Sequence, residues 1–329
     1  MRNRFIDVMK GICILFVLIT HYVWADAERL RYFFPYWIDM AVPIFLIITG
    51  YVYSQSYEKK EIRSFSMAYQ WKHILDKLIR YTIPFFAVWL FEVVVLIKRG
   101  SNFNPILLFL HGGVGGGSYY YPILLQLIFL FPVIYFLIKR NGFKGLIICA
   151  VINFIYEVLV WAYMIRVDTY RLLVFRYIFV IAFGVYLFYK KNECRTYIYK
   201  AFLLVAFVIG ATFIYMNCYR GYVPTICAHW TRTSLFAVPF IFVIADIGIT
   251  KCKWGFKPLE LLGKASYNIF LVQMVYHGLY APLVNARITS RYVELFVTII
   301  IPLILGCVFY FVEQPITKRV LSYVRKKER

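Results

Sequence analysis

Apolar residues run along this chain in stretches of about twenty, broken by clusters of charge or of proline and glycine. The stretches fall at 5–25, 38–57, 81–97, 119–138, 145–164, 172–189, 198–217, 232–250, 266–284 and 292–313. A helix crossing the hydrocarbon core of a bilayer needs roughly 20 such residues, so each stretch is long enough to span. The runs are continuous rather than alternating, which favours helices over the strands of a barrel. The apolar segment Phe103–Leu110 is too short to span and predicts a re-entrant or interfacial helix. The expected fold is all-α: a polytopic transmembrane helical bundle of about ten spans. One membrane-embedded domain accounts for residues 1–329, and the tail Val320–Arg329 is too short to fold alone.

Composition strengthens this picture. Hydrophobic residues make up 62% of the chain and charged ones only 16%, against about 25% charged in soluble domains. The net charge of +21, from 37 Lys and Arg against 16 Asp and Glu, would suggest nucleic acid in a soluble protein. Here the excess is assigned to cytoplasmic loops, and nucleic acid is not an expected partner. Most Lys and Arg fall at the two termini and in alternate loops, among them Lys59, Lys60, Arg63, Lys139, Arg140, Lys190, Lys191, Lys251 and Lys253. That alternation predicts cytoplasmic termini and a multi-pass protein of the plasma membrane, in contact with lipid. The opening could be read as a signal peptide ending near Ala25-Asp26-Ala27, but Asp7 and Lys10 interrupt it, and an uncleaved first helix is expected. Seven cysteines show neither a C-x-x-C pair nor metal-ligand spacing, so no metal is expected. Cys218 and Cys227 share a loop on the outer side, where a disulfide and two thiols are both open.

Ionisable groups inside lipid are costly and mark sites or pathways. In the first span, Asp7, Lys10 and His21 break an otherwise apolar helix. At about 100° per residue, Lys10 and His21 return to within about 20° of one direction, roughly 16 Å apart along the axis. Such a stripe faces a bundle interior or a watery cavity. Imidazole, with a pKa near working pH, suits proton abstraction from a hydroxyl. Glu92 and Glu157 stand in the outer halves of their spans, placed either to orient an imidazole or to pair with Arg176. Asp39 opens the second span from outside. His111 leads the run His111-Gly-Gly-Val-Gly-Gly-Gly-Ser118, which lacks the Gly-Lys-Ser/Thr ending of a phosphate loop and reads as a flexible outer loop or a connector. Tyr119, Tyr120 and Tyr121 follow it, suited to stacking on a sugar ring or to an interfacial belt.

The same residues carry a family resemblance. The segment from Phe5 through Asp7, Lys10 and Gly11 to His21 resembles the first helix of the acyltransferase-3 family of membrane O-acyltransferases, whose signature is an Arg, ten residues, then a His. Lys10 stands where that Arg is expected. Val42-Pro43-Ile44-Phe45 through Thr49-Gly50-Tyr51 resembles the second helix of the family, and Lys77-Leu78-Ile79-Arg80 through Pro84 its third. Ser118 through Leu124 and Glu313-Gln314-Pro315 match further segments. Ser266-Tyr267-Asn268 through Gln273 matches another, with Gln273 in place of a His and His277 four residues on.

The resemblance implies acyl transfer, commonly from cytoplasmic acetyl-CoA to a hydroxyl of a surface glycan or lipid-linked sugar. It makes Lys10 and Arg80 candidates for the phosphates of the acyl-CoA donor, and His21, with Glu92 or Glu157, the candidate catalytic group. Asp39, His111, Tyr120, Arg176, Asn268 and His277 are candidates for binding the acceptor. Direct transfer and an acyl-histidine relay are both compatible with these residues. Two other readings stay open: a transporter or flippase of a small polar solute or lipid-linked glycan, and a sensor with a catalytically silent acyltransferase fold. The second takes its force from Lys10, a point charge without the bidentate fork of Arg, and from Gln273, which cannot act as an acid or base.

Overall fold

The structure, a computed structural model, describes residues 4–115, 117–190, 197–221 and 256–327. The expected span 232–250, together with Cys227, Lys251 and Lys253, lies outside the described residues. The fold is 84% helical, without strands among the described residues. In hydrocarbon every backbone N–H and C=O must be satisfied within its own segment, which a helix does.

In chain order the helices are α1 (Arg4–Thr20), α2 (Asp26–Arg31), α3 (Ala41–Lys59), α4 (Phe65–Ala68), α5 (Trp71–Lys98), α6 (Pro105–Leu110) and α7 (Tyr120–Asn141). They continue with α8 (Phe143–Ala162), α9 (Val167–Leu172), α10 (Ile178–Lys190), α11 (Tyr197–Cys218), α12 (Lys257–Val275), α13 (Ala281–Asn285) and α14 (Arg291–Lys327). Among the described residues, five segments are long and apolar enough to cross a membrane: Phe34–Lys59, Phe65–Lys98, Tyr120–Asn141, Phe143–Ala162 and Arg291–Lys326.

Several helices outrun the apolar stretches that predict them. α5 begins ten residues before its stretch, through Lys72, Asp76, Lys77 and Arg80, and α14 continues past residue 313 to Lys327. Charge ends an apolar run but not a helix, because Lys and Arg are good helix formers. α12 starts at Lys257-Pro258, where proline suits the first turn. The short segment after residue 103 is a single helix, α6, opened by Asn104, whose Oδ1 accepts from the Ile106 and Leu107 amides at 2.9 and 3.1 Å.

Polarity is inverted relative to a soluble protein. On α14, Phe311 and Val312 are 59% and 60% exposed, and Ile147, Val151 and Ile155 on α8 are about half exposed. Inside the bundle, Asp7, Glu92, Glu157, Asn268, Gln273 and Glu313 are buried. Contiguous apolar surface of this extent is excluded from water, and buried charge belongs in the interior of a membrane bundle. The chain is a membrane protein.

Two close helix crossings set the core. A Cβ on Gly263 of α12 would lie 1.8 Å from the Asp7 carbonyl oxygen of α1, and one on Gly11 would lie 2.3 Å from that of Leu259. Likewise Gly50 of α3 abuts the Ile181 carbonyl of α10, and Gly184 that of Ile47. Small residues at these positions let the backbones touch, as membrane helices require when no hydrophobic effect drives them together.

Candidate active site

The helices bring the polar residues of α1 together with those of α3, α5, α7 and α12. Between them is a cavity of about 100 Å³ lined by Lys10, Thr49, Tyr81, Tyr120, Ser266 and Tyr267, with Val17 and Phe270 completing its apolar wall. Its polar lining is largely hydroxyl. Tyr267 donates to the Tyr81 carbonyl at 3.0 Å, and the Tyr81 and Tyr53 hydroxyls are 2.5 Å apart. Lys77 stands over the Tyr53 and Tyr57 rings at 4.0 and 4.9 Å, so cationic charge flanks this tyrosine pair as well.

His21 lies one residue beyond α1, at the opposite end of that helix from Lys10. Its Nδ1 is 2.8 Å from the carbonyl of Val17, a cavity-lining residue. A carbonyl only accepts, so Nδ1 carries the proton and Nε2 presents a lone pair. Its ring stacks on that of His277, with centroids 5.4 Å apart and planes 28° from parallel. His277 belongs to a widened turn, Tyr276–Tyr280, that follows α12, and its Nε2 is buried without a hydrogen-bond partner among the described residues. Widened turns of this kind interrupt helices at functional sites.

Described residues of the glycine run pack against α5 and against the end of α12. Glu92, buried on α5, accepts the Val114 amide at 3.3 Å. At Gly113 the backbone has φ +98°, and a Cβ would lie 2.8 Å from the carboxylate. Only glycine combines that dihedral with so close an approach. Gly278 admits the Val114 side chain in the same way, which ties the loop to the His277 turn.

The other expected residues fall as follows. Glu92 and Glu157 are bonded elsewhere than to His21: Glu92 to the Val114 amide, and Glu157 to the Tyr170 hydroxyl at 2.6 Å. The Val17 carbonyl holds the imidazole instead. Glu157 makes no ion pair with Arg176, whose guanidinium lies over the Tyr170 and Tyr177 rings at 4.7 and 4.9 Å. Asp39 is bound to Arg29 at 2.6 Å. Arg80 is exposed on α5, beside the cavity residue Tyr81. His111 caps α6 and is exposed. Asn268 donates to Glu313 at 3.1 Å, which joins α12 to α14. Gln273 is fully buried, and its Oε1 has no hydrogen-bond partner among the described residues.

Sequence reasoning passed over Tyr81 as a lining residue. Its signal was its place directly after Arg80 in the third-helix motif, one helical turn past Lys77.

The profile of the acyltransferase domain family matches residues 3–312, nearly the whole chain. The protein therefore belongs to the acyltransferase-3 family and is a membrane acyltransferase by class. No curated protein and no solved structure matches it.

Proposed function

We propose that the protein transfers an acyl group, in the simplest case acetyl, from cytoplasmic acyl-CoA to a hydroxyl of a surface glycan or lipid-linked sugar. About ten spans, cytoplasmic termini and a plasma-membrane location complete the reading, on the charge alternation of the loops. The observation that carries it is one continuous arrangement along α1. Lys10 lies in a hydroxyl-lined cavity, and Val17, in the wall of that cavity, holds His21 by Nδ1.

The cavity suits the thioester end of the donor rather than its nucleotide, which stays at the mouth. There Lys10 and exposed Arg80 supply positive charge for the phosphates. The acceptor hydroxyl approaches from the His21 end. Its oxygen attacks the thioester carbonyl while Nε2 of His21 takes the proton. The tetrahedral oxyanion then collapses, the C–S bond breaks, and the coenzyme A thiolate leaves, taking the proton from the His21 imidazolium and restoring the neutral ring. Among the cavity hydroxyls Tyr120 is the donor at hand for the oxyanion, since Tyr267 and Ser266 already donate to the Tyr81 and Gly263 carbonyls. His277, stacked on His21, fixes the plane of the imidazole.

Calorimetric titration of the protein in nanodiscs with acetyl-CoA tests the reading, with coenzyme A and ATP as controls. Saturable binding of acetyl-CoA that weakens in Lys10→Ala and Arg80→Ala is expected. Absence of binding by folded protein would remove the donor from this cavity.

A further inference from the structure

Arg176 is a buried cation set between aromatic faces, with no hydrogen-bond acceptor for it among the described residues. It is 9% exposed, its Nε is buried without a hydrogen-bond partner, and among the described residues no carbonyl or carboxylate accepts from its guanidinium. The nearby carboxylate, Glu157, takes its hydrogen bond from Tyr170. Burying a guanidinium with unused donors is costly. Its planar fork matches the paired oxygens of a carboxylate or phosphate.

The position is also held rigidly. Arg176 sits in the turn Val174–Tyr177 at the start of α10. Gln126 of α7 clasps that turn from both sides, donating to the Leu172 carbonyl at 2.6 Å and accepting the Val174 amide at 3.1 Å. Tyr156 of α8 donates to the Tyr170 carbonyl at 3.1 Å. Leading to the turn, Arg166 and Arg171 are exposed, with Asp168 the one acid of that segment. Charge of this sign steers anions inward. Tyr119 is within electrostatic reach of Arg176, and the next residue, Tyr120, lines the cavity beside α1.

We infer that Arg176 is a recognition site for an anionic group on the acceptor, a carboxylate or a phosphate carried by the sugar. The inference rests on the acyl-transfer reading and narrows its acceptor to acidic or phosphorylated sugars. Tyr170 and Tyr177 flank the guanidinium and limit its swing, and Glu157 moderates its charge while the site is empty.

The test is calorimetry of the full-length protein in nanodiscs at low salt, with glucuronate, glucose 1-phosphate and glucose as probes and acetyl-CoA titrated alongside. At least one anionic probe is expected to bind tenfold or more tightly than glucose. Preference for glucuronate identifies a carboxylate, and preference for glucose 1-phosphate a phosphate. Arg176→Gln is expected to abolish the preference, Arg176→Lys to keep part of it, and both to bind acetyl-CoA as the unmodified protein does. Should Arg176→Gln fail to fold, Glu157→Gln serves instead, with anion affinity expected to rise severalfold. Equal binding of glucose and the anions, absence of anion binding, or an unchanged preference in Arg176→Gln or Glu157→Gln overturns the inference. Anion preference without acetyl-CoA binding would instead sink the acyl-transfer reading and leave the anion site standing.

Discussion

Gly263→Ala tests whether the contact between α1 and α12 positions the site. The added Cβ would lie 1.8 Å from the Asp7 carbonyl oxygen, 2.6 Å from its carbon and 3.0 Å from its Cα. All three are backbone atoms, so no side chain can turn aside. Restoring an ordinary carbon–oxygen contact of about 3.3 Å requires the helices to part by roughly 1.5 Å. Overpacking of this kind costs about 1–3 kcal/mol. The displacement matters more for activity, because α1 carries Lys10 and leads to His21, whereas α12 carries Ser266 and Tyr267 and leads to His277. A misplacement of about 1 Å at a reacting centre lowers rate by about 10²-fold. The assay is acetyl transfer to an added acceptor in nanodiscs, with unfolding followed by tryptophan fluorescence. The expected outcome is a midpoint lowered by several degrees and a transfer rate down by about 10²-fold. Wild-type midpoint and rate in Gly263→Ala would show that the two helices do not meet at this distance, and the geometry of the proposed site would fall with it.

Further outcomes follow from individual contacts. Glu92→Ala removes the acceptor of the Val114 amide under the glycine loop; an unsatisfied buried donor costs about 1–3 kcal/mol, and faster proteolysis between residues 111 and 118 should report it. Asn268→Leu strips Glu313 of its α12 donor and leaves it Thr317 of α14, and should destabilise by about 1–3 kcal/mol, the cost of leaving a buried acceptor short of a donor; an unfolding midpoint equal to wild type would contradict this. Glu28, outside the spans, is held below its ordinary value of 4.5, first by the Arg291 side chain and then by the Ala25 amide. A depressed carboxyl contributes stability that is present above its unfolded pKa and lost as pH falls through the folded one. The unfolding midpoint should therefore drop as pH is lowered below about 4.5, and Arg291→Gln should flatten that dependence.

The helices of this protein were readable because lipid demands long unbroken apolar runs, and the positions of α3, α7, α8 and α11 follow those runs closely. The stripe on the first span is a helix-face argument, and it reaches His21 only through the turn that follows α1, because the helix itself ends at Thr20. Contacts between distant elements were not readable. Nothing in the periodicity of α12 announces the widened turn Tyr276–Tyr280 that sets His277 against His21. The glycine run reads in sequence as a flexible loop or a connector, yet the positive dihedral at Gly113 brings the backbone against the Glu92 carboxylate. Asp39, an acceptor-binding candidate by sequence, is bound by Arg29 ten residues earlier across a bend that no pattern marks. The carboxylates Glu92 and Glu157 found local amide and hydroxyl donors instead of the imidazole, because a hydrogen bond close at hand satisfies a buried oxygen more cheaply than a distant ring.

The central claim is that Nε2 of His21 takes the proton of the acceptor hydroxyl. The most direct measurement is the acetyl-transfer rate of His21→Asn in nanodiscs, at saturating acetyl-CoA and matched protein level, with acetyl-CoA affinity measured on the same preparation. Removing a positioned general base costs about 10²–10⁴ in rate, so the account predicts a fall of that size with donor affinity unchanged. A rate within a few-fold of wild type, with the donor still bound, would contradict it.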